Sequence, residues 1–146
     1  MEKGEKMMIT FTLEIKAKAE KIWPYYEEEA KRKEWEEDLE YLTLDGAFIN
    51  GTKGKIKLQN LPEMNFELLD IIRNKLFSDR TFLPNGDEVR FSHILEEAGE
   101  MTKVTHQVSI VKAKGEMTKE ELPMLMGIFS DVPESMFKIK EIVERK

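Results

Sequence analysis

Between Met7 and Ile15 the chain alternates: Ile9, Phe11, Leu13 and Ile15 fall on one side, and Met8, Thr10, Thr12 and Glu14 on the other. A period of two is the pattern of a strand with one buried face. From residue 17 to about residue 35 the period lengthens to that of a helix, with Ile22, Trp23 and Tyr26 at helical spacing. Pro24 lacks a backbone N–H and cannot sit deep in one continuous helix. The segment therefore reads as two short helices, or as one early helix, a charged turn and a second helix. Residues 39–45 and 51–58 return to strand character; in the second, Thr52, Gly54, Ile56 and Leu58 oppose Lys53, Lys55 and Lys57, whose charges discourage edge pairing. Two further strands fit residues 65–73 and 75–83. Their register stays open, because Leu68, Leu69, Ile71 and Ile72 place apolar groups on both sides.

Pro84-Asn85-Gly86-Asp87 is a turn signal, combining a fixed φ with an Asn-Gly pair that tolerates positive φ. Residues 89–95 and 104–111 alternate around a loop containing Gly99, with Val89, Phe91, His93 and Leu95 facing Val104, His106, Val108 and Ile110. Thr118 and Glu121 have capping-box spacing at the start of a long C-terminal helix. Its apolar stripe is Leu122, Met126, Phe129, Val132, Met136, Ile139 and Val143, and a kink is expected at Pro133. An antiparallel run with one polar face needs its other face covered, and only the terminal helix is long enough to do so. The fold class is thus α+β: a curved antiparallel sheet of about six or seven strands wrapped around the terminal helix.

Composition narrows the chemistry. The 146 residues suit one domain, 1–146, with room for one core. With no cysteine there is no disulfide, thiolate nucleophile or Cys-based metal site. Lys and Arg number 23 against 29 Asp and Glu, for a net charge of -6, and no basic cluster suggests a nucleic-acid partner. No apolar run approaches the roughly 18 residues of a membrane span. The charged N-terminus is not of the signal-peptide kind, so a cytoplasmic location is expected.

Ala19-Glu20-Lys21-Ile22-Trp23, Trp35 followed by residues 39–46, Gly51-Thr52-Lys53-Gly54 and Thr102-Lys103-Val104-Thr105-His106 resemble, in order and spacing, the START-like or SRPBCC superfamily. The likeness is to its polyketide cyclase/dehydrase-like branch and runs nearly end to end. What the resemblance implies is a helix-grip fold with a cavity between sheet and helix. Relatives use that cavity to carry hydrophobic ligands or to cyclise and dehydrate polyketides, and one branch stimulates a chaperone ATPase. The expected partner is a small hydrophobic molecule, with no cofactor and with the protein a monomer or a dimer.

His93 and His106 are the only histidines, and a symmetric hairpin puts them opposite one another with Cβ atoms about 4.5 to 5.5 Å apart. An imidazole exchanges protons near neutral pH. The pair is either a set of interior polar groups satisfied by each other, water or backbone, or a set that touches a ligand or moves its protons. Two histidines make an incomplete zinc site, so no metal is expected. Asp79 and Arg80 lie in a strand between apolar residues, and whichever points inward needs a partner. Asp79 is a candidate to orient a histidine, against the plainer reading of an exposed ion pair. Phe77, Phe91, Val108, Tyr26, Trp35, Met126 and Phe129 are candidates for the cavity lining, although core packing serves the same residues equally well. The charged run 27–40 reads as a solvated helical face. Gly51 and Gly54 read as glycines that let a strand bend.

Overall fold

The alternation seen along the sequence is the alternation of one sheet. The computed structural model describes residues 4–145, without the side chains of Met124, Ile128 and Phe129. Its strands are β1 (Lys6–Ile15), β2 (Leu39–Leu44), β3 (Lys53–Leu58), β4 (Met64–Ile72), β5 (Leu76–Phe82), β6 (Glu88–Ala98) and β7 (Met101–Val111). They pair antiparallel in the order β1-β7-β6-β5-β4-β3-β2. The short turns hold consecutive strands side by side, and β1 crosses over to pair with β7 along its whole length.

Three short helices follow β1: α1 (Ala19–Ile22), α2 (Pro24–Glu27) and α3 (Glu29–Trp35). The sequence suggested two. Pro24 opens α2 at a position where its missing N–H costs nothing, and the extended Glu28 separates α2 from α3. After β7 a 3-10 turn at Lys119–Glu121, closed by the expected capping box of Thr118 and Glu121, leads into α4 (Leu122–Glu144). Pro133 stands inside α4, which continues on both sides of it.

The register of β4 explains its ambiguous sequence. Phe66 and Leu68 point into the core, then Asp70 at φ 49 breaks the ladder between Leu69 and Ile72. This bulge turns Ile71 back toward the core and leaves Ile72 exposed. Gly51 is not a strand residue; it occupies the turn before β3 at φ 87. Gly54 is in β3, where it lets Phe66 cross the strand.

The principal core lies between the sheet and the helices, around Trp23, Tyr26, Phe77, Leu68 and Ile139. Trp23 meets Tyr26 and Phe77 edge to face at 6.0 and 6.2 Å, a favoured aromatic geometry. A smaller cluster joins Val89, Val108 and Ile110 to Leu125 on α4. The turn at residues 84–87 is fastened beside it. Asp87 accepts from the Ala113 backbone N–H at 2.8 Å and from Lys112 Nζ at 3.0 Å, and Lys112 also bridges to Glu121 at the start of α4.

A Cβ on Gly54 would stand 2.2 Å from the Thr43 carbonyl oxygen and 2.7 Å from the Phe66 ring. Gly54→Ala is therefore expected to lower unfolding free energy by about 1 to 3 kcal/mol in urea denaturation. Gly127→Ala, which meets nothing within 4 Å, is the control and should leave stability unchanged or slightly raised.

Candidate functional site

The β6–β7 hairpin turns tightly at Gly99, with φ 66, so its register puts His93 directly opposite His106. Both are inward positions of alternating strands, and both side chains are buried. Their rings meet edge to face at 4.6 Å. The His93 ring lies flat on Phe77 at 3.9 Å, and Nδ1–H donates to the Phe77 carbonyl at 3.2 Å. A carbonyl only accepts, so the neutral ring keeps its lone pair on Nε2. His106 Nε2 is 2.8 Å from the Tyr26 hydroxyl. Burial, the neighbouring His106 and then Arg32 hold His93 well below the usual imidazole range. Burial and then Arg32 bring His106 down to about 3, while burial pushes the Tyr26 phenol up. All three groups are neutral at neutral pH.

Beside them lies a group of charges. Arg32 is 6 % exposed, on the same face of α3 as Trp35. Its Nε donates to Glu36 Oε1 at 3.0 Å, and Nη2 reaches the same oxygen. Burial works against the guanidinium charge, and Glu36 and Asp79 outweigh it. The run 27–40 is thus not a uniformly solvated face. In β5, Phe77, Asp79 and Thr81 point inward, and Asp79 is 8 % exposed. Arg80 points the other way and pairs with Glu67 at 2.8 Å. The plainer reading fits Arg80 and fails for Asp79. Burial raises the Asp79 carboxyl to about 7, with Arg32 opposing and Glu36 reinforcing the rise. The structure gives no hydrogen bond from Asp79 to either histidine, whose partners are Tyr26 and the Phe77 carbonyl.

These groups line a cavity of about 710 Å³ between the sheet, α3 and α4. Its walls include Trp35, Leu42, Ile56, Phe66 and Phe91, and its polar surface includes Arg32, Asp79, His93 and His106. On the α4 side the lining comprises Gly127, Asp131, Val132 and Ser135, and a Cβ at Gly127 would meet nothing within 4 Å.

No family model matches the sequence, and no curated protein matches it either. Solved structures do. A protein from Mesorhizobium loti superposes with a TM-score of 0.73 at 15% identity, covering 96% of this chain and 98% of that one. Truncated norcoclaurine synthase from Thalictrum flavum gives 0.72 at 14% identity, covering 98% and 96%. The Aha1 dimer from Colwellia psychrerythraea gives 0.70 at 20% identity, covering 94% and 96%. The chain has the helix-grip fold.

Within this helix-grip framework the residues singled out from the sequence separate into layers. Trp35, Asp79, Phe91, His93 and His106 line the cavity. Phe77 and Tyr26 stand behind them, fully buried against the histidine rings. Val108 is not among the lining residues and packs beside them, in the small cluster with Val89, Phe91 and Leu125. Met126 is 60 % exposed; Leu125, one residue earlier, takes the inward position. The Phe129 side chain lies outside the described residues. Arg32, Glu36 and Gly127 were not foreseen. The one available signal for Arg32 was its spacing three residues before Trp35 and four before Glu36, which places all three on neighbouring stripes of α3. Among the described residues no cluster of three His, Cys, Asp or Glu side chains is placed to hold a metal ion.

The titration shifts have opposite signs. Asp79 holds an extra proton in the folded state between its ordinary 3.8 and about 7, so its contribution to stability is full below pH 3.8 and lost as pH rises through about 7. The depressed histidines contribute stability that is present above their ordinary 6.5 and lost as pH falls. Asp79→Asn is expected to gain roughly 1 to 4 kcal/mol over the wild type at about pH 8, with the gain vanishing near pH 4, as followed by urea unfolding across pH.

Proposed function

We propose that this protein binds a small, largely hydrophobic molecule in the cavity between its sheet and α4. The observation that carries this reading is the cavity itself. Its volume of about 710 Å³ falls within the roughly 300 to 1,000 Å³ of small-molecule sites, and its walls are mostly apolar with a few convergent polar groups. Such a lining gives affinity through apolar burial and orientation through the polar groups. His93, with its Nε2 lone pair, would accept a hydrogen bond from the ligand, and Trp35 and Phe91 would contact its body. Phe77 and Tyr26 would act through the histidines by fixing their rings.

Asp79 favours a second reading, an enzyme that moves protons on a bound substrate. A carboxyl raised to about 7 holds and releases a proton near neutral pH, whereas an imidazole lowered to about 3 is a poor proton donor there. In a cyclase or dehydratase built on this cavity, Asp79 is therefore the acid or base, and the histidine pair serves as a hydrogen-bonding surface. A protein-interaction module, as in the chaperone-activating branch, would need a contiguous exposed apolar face, and the exposed Phe82, Met126 and Phe137 lie on β5 and on separate turns of α4.

The test is occupancy and blockade. Native mass spectrometry of the purified protein, followed by solvent extraction, is expected to reveal a bound organic molecule or an empty, receptive cavity. The receptive state is read with the fluorescent probe N-phenylnaphthylamine, which should saturate at one molecule per chain. Gly127→Leu points a side chain into open space and should keep the fold while weakening the probe at least about tenfold. Failure of the wild type to bind, or binding unaffected by Gly127→Leu, would overturn the cavity reading.

A further inference from the structure

We infer that the ligand of this cavity is an organic cation, a protonated amine carried on an apolar body, with its ammonium seated against Asp79. This rests on the cavity reading above and adds the chemical class of the occupant. Asp79 is a charge-bearing side chain more than nine-tenths buried that lines the cavity and makes no hydrogen bond or ion pair with a described residue. Buried carboxyl groups are ordinarily satisfied by donors, and an unsatisfied one is costly. An ammonium brings up to three donors on a compact positive charge.

The neighbouring groups agree. Sharing the lining with Asp79 are Arg32 on α3, Glu36 just after it, His93 on β6 and His106 on β7. Arg32 directs Nε and Nη2 to Glu36 and makes no hydrogen bond or ion pair with Asp79, on which it acts only through its charge. The two imidazoles are neutral. The remaining charged groups of the lining are Asp38, just after α3, and Asp131 on α4, and no lysine stands among the described lining residues. Arg32 also acts on Asp79 across the lining, but Arg32 and Glu36 sum to zero, so the three aspartates, when ionised, leave the lining with a net negative charge. A ligand carboxylate entering here meets like charge, while an ammonium is drawn inward by all three. The Trp35 ring already carries the Arg32 guanidinium at 5.9 Å, Phe91 adds a ring of the kind that attracts cations, and Leu42, Ile56 and Phe66 offer the apolar body its surface.

A matched series separates the possibilities. Phenylbutylamine, phenylbutanol and phenylbutanoate share one apolar body and differ in the charge at the end. Isothermal titration calorimetry on the wild-type protein should show the amine binding at least about tenfold tighter than the alcohol, with the acid weaker than both. Asp79→Asn should bring the amine down to the affinity of the alcohol and leave the alcohol within about twofold of its wild-type value. The three-ligand comparison needs no variant, so a folding defect in Asp79→Asn does not protect the inference. Equal binding of amine and alcohol, preference for the acid, or an amine preference that survives Asp79→Asn would overturn it. If N-phenylnaphthylamine still binds in that case, the cavity reading stands and only the cation is lost. If neither that probe nor any of the three binds, both fall together.

Discussion

One helix cannot cover the inner face of a seven-stranded sheet, and the rest of this molecule follows from that mismatch. α4 packs chiefly on β1 and β7 and on the short helices α1 and α3. Met136, Ile139 and Val143 fill that contact. Apart from Val89 on β6, which meets Leu125, the inner faces of β3 to β6 are left chiefly to other neighbours. Trp23 and Tyr26, carried by the turn from α1 into α2, fill the middle against Phe77, and beyond them the chain supplies too little side-chain volume to close the gap. The cavity is what remains between a sheet that curves and a single helix.

The depth of that space sets the chemistry of the groups around it. His93 and His106 are held by contacts that work only if they are neutral: a ring stacked on Phe77, one N–H committed to a carbonyl, and a phenol against the other ring. Arg32 cannot shed its charge, so burying it brings Glu36 with it, one helical turn along the same face. Asp79 has the third option, to take up a proton. Three kinds of buried polar group thus meet the same low-dielectric surroundings in three ways, by neutrality, by pairing and by a raised pKa.

Legibility in the sequence followed the range of the interactions. The alternation of β1, β6 and β7 is a local pattern imposed by one wet face, and the tight turn at Gly99 converts it into the His93–His106 pairing. The capping box at Thr118 and Glu121 is local too. The pattern failed where geometry departed from the period. The bulge at Asp70 scrambles β4, and the α4 stripe extrapolated back to Met126 when the inward residue there is Leu125. It also failed where burial depends on distant strands. Within 27–40 only the spacing of Arg32 to Trp35 and Glu36 hints that Arg32 is covered, because much of what surrounds it, Leu42 on β2 and Asp79 on β5, is distant in sequence. Gly127 matters through a side chain it lacks, which no hydrophobic pattern records.

The charges in this cavity are not what stability alone would select. A well-packed apolar set of similar volume in place of a buried ion pair is often neutral or stabilising by about 1 to 4 kcal/mol. The same reasoning applies to Asp79, which hydrogen-bonds neither Arg32 nor the histidines and whose own ionisation is opposed by burial, although its charge helps to hold that of Arg32. Its β5 neighbours Phe77 and Thr81 face inward on the same strand without a charge. A carboxyl there costs the fold something at neutral pH and returns no contact within it. Short of taking up a proton, the carboxyl would be compensated by a partner from outside the chain, seated in the cavity that it lines.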